Sequence, residues 1–263
     1  MAVVETELAG GVLTVTLADE ERRNTLNARL VAELTDALDA ADADASVRVV
    51  VLTNRGRVFC AGADLAERSS PSTDRPAALA NPADLFGRFR RSPKPYVGRI
   101  AGHCVAGGMG LAAALDISVA VDDARFGFTE VRVGVAPAVI SVVCLPKLRP
   151  ADAASAFLRG NRFTATEAAR MGLINAAVPA DQLDAEVDAV VEDLLAGSPA
   201  ALGAAKSLLA EVPALPVDEA FRWTGALSAR LFASDEAREG MTAYLDKRPP
   251  AWTRARPTKE GEP

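Results

Sequence analysis

Residues favouring strands fill positions 3–8 and 12–17, and Gly10-Gly11 separates the two runs. That pattern predicts a β-hairpin. Leu26, Leu30, Leu34 and Leu38 then recur at helical spacing, with Asn24 or Asn27 placed to cap the helix start. Residues 47–53 form a short, continuous apolar run of the kind buried in a parallel sheet. Residues 68–82 mix Ser, Pro, Thr and Asp without a period and read as a mobile loop. Leu85 and Phe89 predict a helix that stops at Ser92-Pro93. Strands are expected over 96–100 and 117–121, with a helix over 111–115 between them. Beyond Pro137 the pattern changes. Leu183, Val187, Val191 and Leu194 make one amphipathic face, and residues 199–211, 215–233 and 235–246 also read as helices. Strand–helix alternation followed by helices predicts an α/β fold with a helical C-terminal part. The expected division is a core over 1–197, a helical region over 198–253 and a disordered tail over 254–263.

Composition narrows the function classes. The chain has 263 residues, of which 49% are apolar and only 5% aromatic, so a sizeable core of small aliphatic side chains is expected. The formal net charge of −6 offers no electrostatic footprint for nucleic acid. An anionic ligand would need local basic residues or backbone donors. Cys60, Cys104 and Cys144 are odd in number, far apart and without CxxC spacing. A disulfide framework or a zinc site is therefore not expected, and a reducing cytoplasm is the default compartment. The N-terminus lacks the basic and apolar regions of a signal peptide, and no membrane span is expected.

Two glycine-bearing segments carry the candidate chemistry: Phe59-Cys-Ala-Gly-Ala-Asp-Leu65 and Gly102-His-Cys-Val-Ala-Gly-Gly-Met-Gly-Leu111. Each follows an apolar stretch and places small residues where the chain must turn. Such turns expose backbone N–H groups, and two of them together can aim two donors at a developing oxyanion. A rival reading takes Gly108-Met-Gly110-Leu-Ala-Ala113 as a dinucleotide-binding GxGxxG/A pattern, with Glu130 as the ribose acid of a nicotinamide-dependent dehydrogenase. That motif should open directly from its strand, whereas His103 to Gly107 intervene here. A third reading has the glycines simply permit close packing. His103, the only histidine, is a general base or a packed ring. Cys60 and Cys104 read as small core residues, and Glu67 and Asp74 as solvated surface.

The same segments resemble the signatures of the enoyl-CoA hydratase/isomerase, or crotonase, family. Residues 59–65 match its FCAGADL turn, and residues 100–117 look like its second signature. Asn24-Thr-Leu-Asn27, the stretch from Phe126 to Pro137, and the stretch from Glu239 to Pro249 resemble three further family segments, in the same order. The resemblance implies a spiral of ββα units, an acyl-CoA thioester substrate and a homotrimer or dimer of trimers. Coenzyme A would be part of the substrate, with no metal or other cofactor.

By the same resemblance, the N–H groups of Ala63 and Gly107 form an oxyanion hole and Glu130 is the acid/base. Asn24 and Leu26 would follow the pantetheine and phosphates. Ala61, Ala63, Asp64 and Leu65 would wrap the adenine. Gly107, Gly108 and Thr129 would border the ligand, and Lys247 would reach a phosphate, helped by Arg22 and Arg23. Each of these three cations can equally be plain surface charge. Asp64 can equally be a local helix cap, and Glu130 a partner of Arg125 or Arg132. Familiar hydratases carry a second glutamate three residues after the oxyanion-hole glycine, and this chain has Gly110 there. Hydration of a 2-enoyl-CoA with one glutamate is the expected activity. Δ3,Δ2-enoyl-CoA isomerisation and non-catalytic acyl-CoA binding are the alternatives.

Overall fold

A computed structural model of the protein describes residues 2–69 and 82–253. The chain opens with β1 (Val4–Ala9) and β2 (Val12–Leu17), the expected hairpin. Asn27, rather than Asn24, caps α1 (Ala28–Ala43), its side chain accepting the Leu30 N–H at 2.8 Å. Leu30, Leu34 and Leu38 are buried on the core face of α1, while Leu26 stands outside the helix. β3 (Val49–Asn54) is buried at every position, as a parallel strand covered on both faces must be.

The chain then alternates between two sheets. β4 (Val58–Cys60) leads to α2 (Leu65–Ser69) and, beyond the undescribed stretch, to α3 (Pro82–Arg91). β5 (Tyr96–Ile100), β6 (His103–Val105) and α4 (Gly107–Ala114) follow. β7 (Ile117–Val121) and β8 (Arg125–Gly127) precede α5 (Ala138–Cys144) and α6 (Pro150–Arg159). β9 (Phe163–Thr164), α7 (Ala165–Met171), β10 (Ala176–Val178) and α8 (Leu183–Ala196) complete this part. One sheet has the order β1-β2-β3-β5-β7-β10 and the other β4-β6-β8-β9. Three successive turns, β3-β4, β5-β6 and β7-β8, therefore each add one strand to the first sheet, the next strand to the second, and then helix. This is the α/β spiral of ββα units that the sequence led us to expect.

Two cations, the half-buried Arg48 and the buried Lys206, tie the later helices to the sheet. Arg48, just before β3, donates to the carbonyls of Trp252 and Gly197, both at 2.8 Å. Lys206, in α9 (Pro199–Glu211), donates to the carbonyls of Phe89 (2.9 Å) and Lys94 (2.7 Å) and pairs with Asp116 at 2.7 Å. A buried ammonium is tolerable because every donor has a partner. α10 (Val217–Phe232) and α11 (Asp235–Leu245) follow, close to their expected bounds. The expected loop over 68–82 begins in α2 and ends in α3, and its middle lies outside the described residues, as do Asp74 and the tail from Arg254.

Candidate active site

The two glycine segments meet. Gly62 has φ +86°, and a Cβ there would lie 2.7 Å from Ala106 Cβ and 2.8 Å from Gly107 N. Only glycine lets these turns touch. The contact brings the backbone of residues 61–64 against the start of α4. No described group accepts a hydrogen bond from the N–H of Ala63 or Gly107. Gly107 opens α4, whose first N–H groups have no partner within the helix and carry its positive dipole end. Two free donors on adjoining turns can hold an oxygen that becomes negative.

Both residues line a cavity of about 1160 Å³. Glu130 lines it too, at the start of a 3₁₀ turn, Glu130–Val133. Its Oε2 is buried without a hydrogen-bond partner. Burial holds its carboxyl above the usual range. Arg132 is not its ion-pair partner, since that guanidinium donates to the carbonyls of Gly160 (2.6 Å) and Arg159 (3.3 Å). A half-buried carboxyl with one free oxygen and a raised pKa is suited to proton transfer.

Leu26, Ala61, Asp64, Leu65 and Thr129 also line the cavity, as do Arg22 and Arg23. Asp64 doubles as a cap, its Oδ1 accepting the N–H of Ala66 at 2.9 Å. Glu67 is not plain solvated surface, because its carboxylate accepts the Ala28 N–H at 3.0 Å at the start of α1. Three expected ligand contacts are absent from the cavity lining. Asn24 is buried and spent on backbone: it accepts from Asp19 N–H (2.8 Å) and donates to Val58 (2.8 Å) and Arg55 (3.2 Å) carbonyls. Gly108 is packed against β4, where a Cβ would lie 2.4 Å from Cys60 O. Lys247 is exposed beyond the end of α11.

The opposite wall was not legible in sequence. Leu85 and Phe86 of α3 and Ile140 of α5 close it with apolar groups. The run from Val133 to Ile140, apolar apart from Gly134 and Pro137, was the available signal. Gly110 does not open onto the cavity. A Cβ there would lie 2.4 Å from Ile140 Cγ2 and 2.9 Å from Phe86 Cε1. The volume a second glutamate would need is filled. Glu130 and Asp64 are therefore the cavity's only carboxylates among the described residues.

The dinucleotide reading fails on packing. β6 does lead through Ala106 straight into α4. However, Gly108 and Gly110 are covered by Cys60, Ile140 and Phe86, which leaves no bare glycine face for a pyrophosphate. The His103 ring lies outside this cavity and accepts the Arg125 N–H at Nδ1, 3.1 Å away. All three cysteines are buried; burial pushes the Cys60 and Cys144 thiols up to about 12 and raises that of Cys104.

The enoyl-CoA hydratase/isomerase family model matches residues 7–255. The chain belongs to that family. A Thermus thermophilus protein with a provisional enoyl-CoA hydratase name is 37% identical over 245 residues, covering 92% of this chain and 97% of the relative. An Escherichia coli K12 carnitinyl-CoA dehydratase is 31% identical over 253 residues, covering 92% of this chain and 95% of the relative. Among solved structures, an enoyl-CoA hydratase of Mycobacterium smegmatis superposes with a TM-score of 0.89 at 31% identity, covering 96% of this chain and 99% of that one. The ββα spiral is thus the crotonase fold.

Proposed function

We propose that the protein is an enzyme that hydrates a 2-enoyl-CoA, or runs the reverse dehydration, through a thioester enolate. The observation that carries this reading is the unpartnered Oε2 of Glu130, buried on the same cavity as the free N–H groups of Ala63 and Gly107. The thioester carbonyl would accept both N–H donors. Glu130 would take a proton from water as its oxygen bonds to Cβ, and the π electrons would move onto the thioester oxygen. The same carboxyl would then return that proton to Cα. Each hole donor would account for ~2.7–4 kcal/mol of barrier, and the acid/base step for roughly 10²–10⁴-fold in rate. Coenzyme A belongs to the substrate, and these steps draw on no separate cofactor. Turnover of Glu130→Gln on 2-enoyl-CoA thioesters tests the reading: a fall of roughly 10²–10⁴-fold supports it, and wild-type turnover overturns it.

Gly110 favours a second reading, double-bond migration between 3-enoyl- and 2-enoyl-CoA, since one carboxylate suffices to carry a proton between carbons. A panel of both thioester types, followed for water addition and for migration, separates the two.

The C-terminal helices support a proposed homotrimer or dimer of trimers built through residues 198–253. Phe221, Phe232, Tyr244 and Leu245 of α10 and α11 are 74%, 69%, 84% and 77% exposed. Sedimentation equilibrium gives the state directly. No helix among the described residues is long and apolar enough to cross a membrane, and we place the enzyme in the cytoplasm.

A further inference from the structure

Building on the reading of Glu130 as the proton-transfer group, we propose that Arg132 is its positioning residue. Arg132 clamps the 3₁₀ turn that carries Glu130 to the C-terminal end of α6, and so aims the Glu130 carboxyl into the cavity. Among the described residues no other side chain bonds to that carboxyl: Oε2 has no partner, and the hydrogen bonding it has comes from its own backbone. Its aim therefore depends on the backbone that carries it.

That backbone is short. Glu130 opens a single 3₁₀ turn, Glu130–Val133, which ends at Gly134 in the left-handed region, φ +81°. The Glu130 carbonyl accepts the N–H groups of Gly134 and Val135, the latter at 3.2 Å. One 3₁₀ turn has few hydrogen bonds to fix its direction, and none of its four residues is buried. Its hold on the fold comes from α6. Just before the turn, the Phe128 ring packs on Phe157 of α6, with centroids 4.2 Å apart. Within the turn, Arg132 Nε donates to Gly160 O at 2.6 Å and Nη2 to Arg159 O at 3.3 Å. Carbonyls at a helix end lack partners inside the helix, and a cation is favoured at that negative end of the dipole. One guanidinium thus satisfies two acceptors at the end of α6 and fastens the turn to it.

Gly160 permits the approach. It is buried and left-handed, φ +56°, and a Cβ there would lie 2.6 Å from Val131 Cγ2. Without that methyl, Val131 and Arg132 can lie against the helix end. Arg132 also lines the cavity, so a direct contact with the ligand is the rival role. Two of its nitrogens, Nε and Nη2, are already committed to α6.

The test is a double-mutant cycle of Arg132→Met and Glu130→Gln in the full chain, on whichever 2-enoyl- or 3-enoyl-CoA thioester the wild type turns over. Arg132→Met keeps an unbranched side chain and removes the donors. It should lower kcat by roughly 10- to 100-fold, the cost of a misplaced reacting group, with KM unchanged. Arg132→Lys keeps a charge and donors at the end of α6, so its kcat should fall between wild type and Arg132→Met. Gly160→Ala leaves Arg132 in place but pushes Val131 off the helix end, and should also lower kcat at constant KM. In the Glu130→Gln background, Arg132→Met should cost nothing further, because the group it positions is gone. Should Arg132→Met fail to fold, Arg132→Lys takes its place in the cycle. A raised KM at wild-type kcat would assign Arg132 to the ligand, and lost stability at wild-type kcat would leave it a helix cap; either overturns the proposal. So does an equal fall in both backgrounds. Wild-type turnover by Glu130→Gln overturns the reading of Glu130 itself, and the role of Arg132 only through it.

Discussion

Ile140 occupies the space that any side chain at Gly110 would need: a Cβ there would lie 2.4 Å from Ile140 Cγ2. Gly110 sits within α4, where helix propensity alone would have alanine gain ~0.5–1 kcal/mol. The clash runs the other way, and overpacking of this kind costs ~1–3 kcal/mol. Gly110→Ala should therefore destabilise the protein, and Ile140→Ala in the same chain should recover part of the loss. Gly110→Glu should unfold the site rather than add a second acid, since it places a carboxylate between Phe86 and Ile140. Denaturant midpoints of the single and double variants measure the coupling. A stable, more active Gly110→Glu would refute this packing.

Much of the fold was legible because its signals are local. The all-apolar stretch of β3, the capping Asn27 and the leucine row of α1 lie within a few residues of one another. The paired glycine turns were legible as backbone presenters. Other features depend on distant partners. Asn24 and Asn27 look alike as caps in sequence, and only the approach of Arg55 and Val58 spends Asn24 elsewhere. The strands β4, β6 and β8 are three residues each, too short for a period to show. α7 did have a readable start. Its Thr164–Glu167 capping box is a sequence pattern, completed by a Glu167 N–H to Thr164 Oγ1 bond of 3.1 Å. The apolar cover over Gly110 joins α3 and α5, which no local pattern relates.

Glu130 sets a pH dependence with a definite sign. Burial raises its pKa above 4.5. Between the unfolded and folded values, the native state binds more protons than the unfolded chain. Stability from this group is therefore lost as pH rises through that window. Glu130→Gln removes the penalty, so it should be more stable than wild type at neutral pH and lose that advantage below the ordinary carboxylate range. Activity runs the opposite way. Proton abstraction needs the ionised carboxyl, so turnover should rise with pH through a limb lying above the usual glutamate value. Paired denaturation curves and a kcat–pH profile measure both, and a limb at the ordinary glutamate value would contradict the burial.

Ala106 holds a conformation that suits glycine. It caps α4 at φ 49° and ψ −121°, with a Cβ in a region most L-residues avoid. Such strain costs ~1–3 kcal/mol, against ~0.5–1 kcal/mol for the added chain freedom of glycine. Ala106→Gly should therefore stabilise the protein by about 1 kcal/mol, the difference between those terms. The denaturant midpoint should rise with an unchanged slope. An equal loss would mean that the strain is absorbed elsewhere.

Asn24 offers the sharpest separation between a ligand contact and a structural pin. Its side chain is buried, and its bonds satisfy the Asp19 N–H and the Arg55 and Val58 carbonyls. Each buried partner left unsatisfied costs ~1–3 kcal/mol, and alanine tolerates the left-handed φ of +50° less well than asparagine does. Asn24→Ala should therefore lower stability by roughly 3–5 kcal/mol in total, less than a simple sum because the three bonds share one loop. The damage should also reach the chemistry. The adjoining Arg23 carbonyl accepts the Ala61 N–H at 3.1 Å, and the Leu26 N–H donates to Gly62 O at 2.8 Å, so this loop holds the turn that presents Ala63. A structural pin predicts that kcat falls alongside stability while KM for the thioester changes little. A direct ligand contact predicts the reverse: a raised KM on a chain of wild-type stability. Measuring the denaturant midpoint and both kinetic constants on the same preparation decides between them.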